Sequence, residues 1–146
     1  MLAPMNEVTL VHLVNDETPR GLADALKGPN PASYIEIHVD PDPARTCQRI
    51  ATSTSAKNLI IIATGNACNQ LSAVALAQRA SGKTILRYEL VEPALPQFTE
   101  SWPQAPIAAY FPAGSTIPRN LILRGINVVE FEDLDALARF IQKSLL

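Results

Sequence analysis

The residues best suited to chemistry lie in one stretch, Ala63-Thr64-Gly65-Asn66-Ala67-Cys68-Asn69-Gln70. It leads from an apolar run through a glycine turn into a helical pattern. The backbone N–H groups of Ala67 to Gln70 are expected at a helix N-terminus, where they lack an intrahelical acceptor and suit an anion or oxyanion. Cys68 falls in the positive end of the same helix dipole, which lowers a thiol pKa; simple packing at the turn is its plain structural role. His12 stands near the carboxyl end of the first strand, the edge at which open α/β sheets hold ligands, and is the nearest candidate base. The candidate ligand-binding set is therefore Gly65, Asn66, Ala67, Cys68, Asn69 and His12. His38, the other histidine, shares a polar-facing strand side with Tyr34 and Glu36 and reads as structural. Two separated histidines without a supporting ligand pair make no metal site, and no cofactor is expected. Gly82-Lys83-Thr84 has the ending of a phosphate-binding loop, but Ala77 stands where the first glycine belongs. The triplet also leads from helix into strand, the reverse of that motif.

The elements that position these residues alternate along the chain. Strands are expected at Glu7 to Val14, Tyr34 to Val39, Asn58 to Thr64, Thr84 to Val91, Ile107 to Phe111 and Ile126 to Phe131. Asn58 to Thr64 is a continuous Leu/Ile run and suits a central parallel strand buried on both faces. Helices are expected at Thr18 to Leu26 with Thr18 as N-cap, at about Ala44 to Ser53, and from an Asn66 or Asn69 cap to about Ala80, where Gly82 stops the helix. Two more follow at Ile117 to Leu123 and at Leu134 to Leu145, the last capped by Asp133. Strands alternating with helices imply parallel crossovers. The expected fold is a single α/β domain over residues 1–146, three-layer αβα, with a six-stranded mostly parallel sheet in the order 2-1-3-4-5-6.

Composition narrows the function classes. The chain has 146 residues and 47% apolar content, enough for one full core. A formal net charge of -2 without a basic block argues against phosphate-driven nucleic-acid binding. No apolar run approaches membrane-spanning length, and no basic region followed by an apolar core marks a signal peptide. Cys47 and Cys68 are too few for a disulfide framework and read as free thiols in a reducing cytoplasm. One segment breaks the rhythm: Glu92 to Pro106 carries four of the 12 prolines and the sole tryptophan, Trp102. It reads as a surface excursion at the carboxyl edge: a plain connection, a lid in which Trp102 and Phe98 cover the crevice, or a docking surface in which they stay exposed as an aromatic patch.

Residues Ser33 to Pro93 resemble the middle of an α/β-hydrolase, and most of all the thioesterase-type members. That family's Gly-x-Ser-x-Gly elbow aligns with Gly65, Ala67 and Asn69, so Ala67 takes the nucleophile position. Ala73, Val74, Ala75 and Ala77-Gln78-Arg79-Ala80 fall on the small-residue pattern of the following helix. Leu90-Val91-Glu92-Pro93 is similar to the family's apolar-acid-Pro strand end, and Val11-His12-Leu13 falls where the family has a strand ending in His-Gly. The departures concern the catalytic machinery. Ala67 replaces the nucleophilic serine, no acid stands in Tyr110-Phe111-Pro112-Ala113-Gly114, where many members carry the triad acid, and no histidine follows His38. A serine hydrolase needs a base within hydrogen-bond reach of its nucleophile, so no catalytic triad is expected.

The resemblance implies a non-catalytic, hydrolase-like protein that binds a partner or a small acyl-type ligand at the carboxyl edge of the sheet. A second copy of the chain counts among the candidate partners. Two other readings stand beside it. One is a residual thiol hydrolase or acyltransferase with Cys68 as nucleophile and His12 as base. The other is a flavodoxin-like binder of an anion or nucleotide at the Gly65 turn.

Overall fold

Runs of Val, Ile and Leu that are covered on both faces become parallel strands, because β-branched side chains pack well on a pleated surface and crossover helices shield both sides. The computed structural model describes residues 8–27, 33–94, 105–123 and 125–143. Six strands form one sheet: β1 (Val8–Val14), β2 (Ser33–His38), β3 (Asn58–Thr64), β4 (Thr84–Val91), β5 (Ile107–Pro112) and β6 (Asn127–Phe131). Every pair is parallel and the order is β2-β1-β3-β4-β5-β6, as expected from the sequence. The strand order reverses between β1 and β3, so the switch-point crevice lies where those two strands end.

The helices are α1 (Leu22–Leu26), α2 (Pro43–Ser53), α3 (Leu71–Ala80), α4 (Arg119–Leu123) and α5 (Leu134–Lys143). Helices α2 and α3 cover one face of the sheet, packing Ile50, Leu71 and Val74 on Val11, Leu13, Leu59, Ile61 and Leu90. Helix α4 continues that layer, with Leu121 on Ala109 and Phe111. Helices α1 and α5 cover the opposite face, with Leu22, Leu26, Leu137 and Ile141 on Leu10, Ile60 and Ile62. Each fully buried Leu or Ile in these layers is worth about 1.5–3 kcal/mol.

Helix α4 begins at Arg119 rather than Ile117, and two further helix starts differ from the sequence expectation. The first helix begins at Leu22, not Thr18. The Thr18 hydroxyl is engaged with Asn15, whose N–H donates to it at 2.9 Å, and Gly21 at φ 89° cannot continue a right-handed helix. Neither Asn66 nor Asn69 caps α3. A 3-10 turn, Gly65–Gln70, precedes it, and no side chain caps Leu71. Gly82 ends α3 as expected, at φ 78°, with Lys83 N–H returning to the Gln78 carbonyl at 2.9 Å.

A bulge decides which side chains of β4 face which layer. Leu59 pairs with Ile85, but Ile60 pairs with Arg87, so Leu86 is an extra residue. Beyond it, Tyr88 and Leu90 face α3, while Arg87, Glu89 and Val91 face the α1/α5 side. In the excursion between β4 and β5, Phe98 and Trp102 lie outside the described residues, and with them the lid and docking-surface expectations.

Candidate functional site

The carboxyl ends of β1 and β3 bring the Asn15–Thr18 turn against the Gly65–Gln70 turn. The Asn15 side-chain amide donates to the Thr64 carbonyl at 3.3 Å. The Asn66 backbone N–H donates to Glu17 Oε1 at 2.9 Å. The Glu17 carboxylate also lies over the Gly65 Cα, in the space a Cβ would fill. Gly65 adopts φ 55°, a left-handed conformation that glycine reaches without strain. The anion expected at this turn is thus the chain's own carboxylate. A 3-10 turn bonds each N–H to the carbonyl three residues before it, so the amides from 67 to 70 are taken within the turn and those of Gly65 and Asn66 stand at its start.

The end of β4 completes this edge. Glu92 stands at φ 44°, the one described non-glycine residue with positive φ. Its N–H donates to the Tyr110 carbonyl at 2.9 Å, and Ala94 N–H donates to the Gly65 carbonyl at 3.1 Å. These two bonds hold the left-handed turn against a strain of about 1–3 kcal/mol and tie the strand end to the elbow.

The six sequence-predicted residues are not brought to one surface. Gly65, Ala67 and Cys68 are buried, whereas Asn66 and Asn69 are exposed. Cys68 packs among Leu71, Val74 and Ala63 on the α2/α3 side. Burial first, then the charge of Glu17, pushes its thiol up to about 12. Helix-dipole activation fails here because the thiol has lost its water and faces a carboxylate, and both disfavour thiolate. His12 lies on the opposite face: its register partners are Glu36 on β2 and Ile62 on β3, with the α1/α5 layer above. The sheet itself separates His12 from Cys68.

His12 belongs to a different polar group. Its Nδ1 is 2.7 Å from the Tyr34 hydroxyl, which donates to Glu36 at 3.4 Å, and Glu36 pairs with Lys27 at 2.8 Å. The tautomer that satisfies this chain has Nδ1–H donating to the Tyr34 oxygen. The imidazole is wholly inaccessible. Burial lowers its pKa to about 4, the Glu36 charge opposing and Lys27 assisting.

Sequence reasoning missed a second polar group on that face. Glu89 is fully buried, accepts from the Tyr110 hydroxyl at 2.7 Å and lies 3.0 Å from Arg87 Nε. Burial, then the Glu89 charge, raises the Tyr110 pKa. Across the sheet, Glu36, His12, Ile62, Glu89 and Ala108 stand side by side, so one apolar residue separates the two groups. The signal was present as two charges two places apart in an otherwise apolar strand, Arg87 and Glu89.

Among the described residues no group of His, Cys, Asp and Glu is arranged to hold a metal ion, and no helix is long and apolar enough to cross a membrane. Neither a scan against protein-family models nor a search of curated proteins finds a match.

Proposed function

We propose that the chain is a non-catalytic, α/β-hydrolase-like binding domain that takes a partner or a small acyl-type ligand at the carboxyl edge of its sheet. The observation that carries this reading is the Glu17 carboxylate seated on the Gly65-Asn66 turn. A carboxylate at that place repels the developing oxyanion that a hydrolase elbow must stabilise. Ala67 supplies no nucleophile, and the neighbouring thiol of Cys68 is held protonated. His12 is on the far side of the sheet from both. An anion or nucleotide at the same turn would meet the Glu17 charge, so the flavodoxin-like alternative draws no support from this geometry. With Asn15 and Glu17 bridging the two strand ends, a partner resting on the outer surface fits better than an acyl chain inserted between them. Two free cysteines, Cys47 and Cys68, suit a reducing compartment such as the cytoplasm.

The test is reactivity towards a fluorophosphonate probe and short p-nitrophenyl esters, in the native chain and in Ala67→Ser. Neither protein is expected to label or turn over, because the variant still lacks an oriented base. Stoichiometric labelling of a serine in the native chain, or of Cys68 by a thioester, overturns the reading. Adding octanoate during an amide NMR titration separates the two occupants: saturable shifts at residues 65–69 identify the acyl ligand, and their absence leaves the partner.

A further inference from the structure

The cleft between the end of α3 and the start of β4 has the makings of a binding site, remote from the carboxyl edge and independent of the function proposed there. It encloses about 300 Å³, at the lower end of the range for small-molecule pockets. Arg79 from α3 and Lys83 from the following turn supply two positive charges, and Thr84 supplies a hydroxyl. Ala75 and Ile85 form an apolar wall. The lining holds no carboxylate among the described residues, so neither cation is neutralised within it.

Ordinary structural roles account for the cations but not for the tyrosine. A base in the last turn of a helix complements the helix dipole, which explains Arg79. Lys83 donates to the Thr54 carbonyl at the end of α2 at 3.0 Å, which fixes its direction. Tyr88 is different. It is 1% exposed, lines the cleft, and its hydroxyl has no hydrogen-bond partner among the described residues. The hydroxyl is not among the buried side-chain atoms left without a partner, so it opens onto the cleft, where phenylalanine would present no polar atom. Burial raises the Tyr88 pKa and the charge of Arg79 opposes that rise; both residues line the cleft. The bulge at Leu86 is what turns Tyr88 towards α3 and keeps it there.

We propose that this cleft binds a small organic oxyanion, a phosphomonoester or a carboxylate, with the acidic group between Arg79 and Lys83 and a polar atom of the body on the Tyr88 hydroxyl. Two cations with a hydroxyl give charge-assisted hydrogen bonds to either kind of oxyanion, and Arg79 can make two at once. A second, more open groove of hydroxyl groups, including Thr52, Ser55 and Ser81, meets the first at Lys83. It gives the ligand's polar end an exit towards water.

The experiment is an amide NMR titration of the native chain with inorganic phosphate, glycerol 3-phosphate and succinate in turn. Each is taken to about 10 mM, an order of magnitude above a millimolar dissociation constant. Saturable shifts centred on Arg79, Lys83, Thr84 and Tyr88 are expected with at least one organic anion. Tighter binding of glycerol 3-phosphate identifies a phosphorylated ligand, and tighter binding of succinate a carboxylate. Arg79→Gln changes an exposed side chain, so the fold is retained, and it is expected to weaken binding about tenfold. Tyr88→Phe is expected to weaken the organic anions several-fold while leaving inorganic phosphate nearly unchanged. No saturable shift at these amides with any of the three probes overturns the proposal, as does equal affinity in Arg79→Gln and the native chain. A failure of the fluorophosphonate test above leaves this result untouched.

Discussion

Glu17 and Asn66 are 49 residues apart, yet the carboxylate of one holds the backbone N–H of the other at 2.9 Å. The contact joins the ends of β1 and β3 where the strand order reverses, and it lays the carboxylate in the space a Cβ at position 65 would take.

Gly65→Ala is expected to destabilise the fold by about 1–3 kcal/mol from the left-handed backbone alone, with a further cost from overlap with the Glu17 carboxylate. Removing that carboxylate with Glu17→Ala relieves the overlap but not the strain. Urea unfolding of the two single variants and the double should therefore show non-additivity, the double losing less than the sum. Strict additivity would mean that the carboxylate does not lie over Gly65 in solution.

Thiol labelling separates the two cysteines. Cys68 is buried with its thiol pushed up to about 12, whereas Cys47 is partly exposed and its thiol is raised by burial to a lesser degree. At about pH 8 the native chain should react with Ellman's reagent at Cys47 alone, and Cys47→Ser should be silent until denaturant is added. Rapid labelling of Cys68 in folded Cys47→Ser would place that thiol in the crevice.

His12 makes stability depend on pH. Its pKa is lowered from 6.5 to about 4 in the fold, so the unfolded chain binds the proton more tightly. The contribution is fully present above about pH 6.5 and is lost as pH falls towards 4. At about 1.4 kcal/mol per pKa unit it amounts to roughly 3 kcal/mol. His12→Gln removes the titration while keeping a donor for Tyr34. The stability difference between native and variant proteins should shrink across this window, and a constant difference would contradict a neutral buried imidazole.

The Arg87–Glu89–Tyr110 group should behave as a unit. Tyr110→Phe is expected to cost about 1.5–3 kcal/mol, the worth of a hydrogen bond to a charged group. Arg87→Met takes the guanidinium away from the buried Glu89 charge and is expected to cost about 3 kcal/mol or more, whereas the double variant Arg87→Met/Glu89→Met should cost less than that single change. The measurement is the urea midpoint of each variant at neutral pH.

The strands were legible because their apolar runs are long and bounded by polar residues. Asn58–Thr64 and Thr84–Val91 match expectation to the residue, and with alternating helices they imply the parallel order. Helix starts were less legible, since a capping residue can be taken by a neighbour: Thr18 looks like an N-cap, but Asn15 claims its hydroxyl. The candidate site was legible only in part. The turn and its glycine follow from local pattern. The filling of that turn by Glu17 is a long-range contact that no spacing rule encodes. His12 and Cys68 looked close because both lie near strand ends, and only the register of β1 shows that the sheet divides them. For β4, one bulge residue settles which charges are buried under α5 and which tyrosine looks towards α3.

The two layers of core also differ in when a growing chain can make them. The buried residues beneath α2 and α3 run from Val11 to Leu90, so that part of the face is complete once the ribosome has released β4, and only the α4 end, Ala109 to Ile126, is still to come. The side beneath α1 and α5 needs Phe131, Leu137, Ala138 and Ile141. Gln142 then reaches back to the Ala25 and Leu26 carbonyls, 117 and 116 residues earlier. During synthesis, Leu10, Leu22, Ile60 and Ile62 therefore wait bare while about fifty residues are still to be made, at the ~5–20 residues per second of translation. The nascent chain is one-sided for several seconds, and that interval is when chaperones, or a neighbouring copy on the same messenger, meet its greasy face.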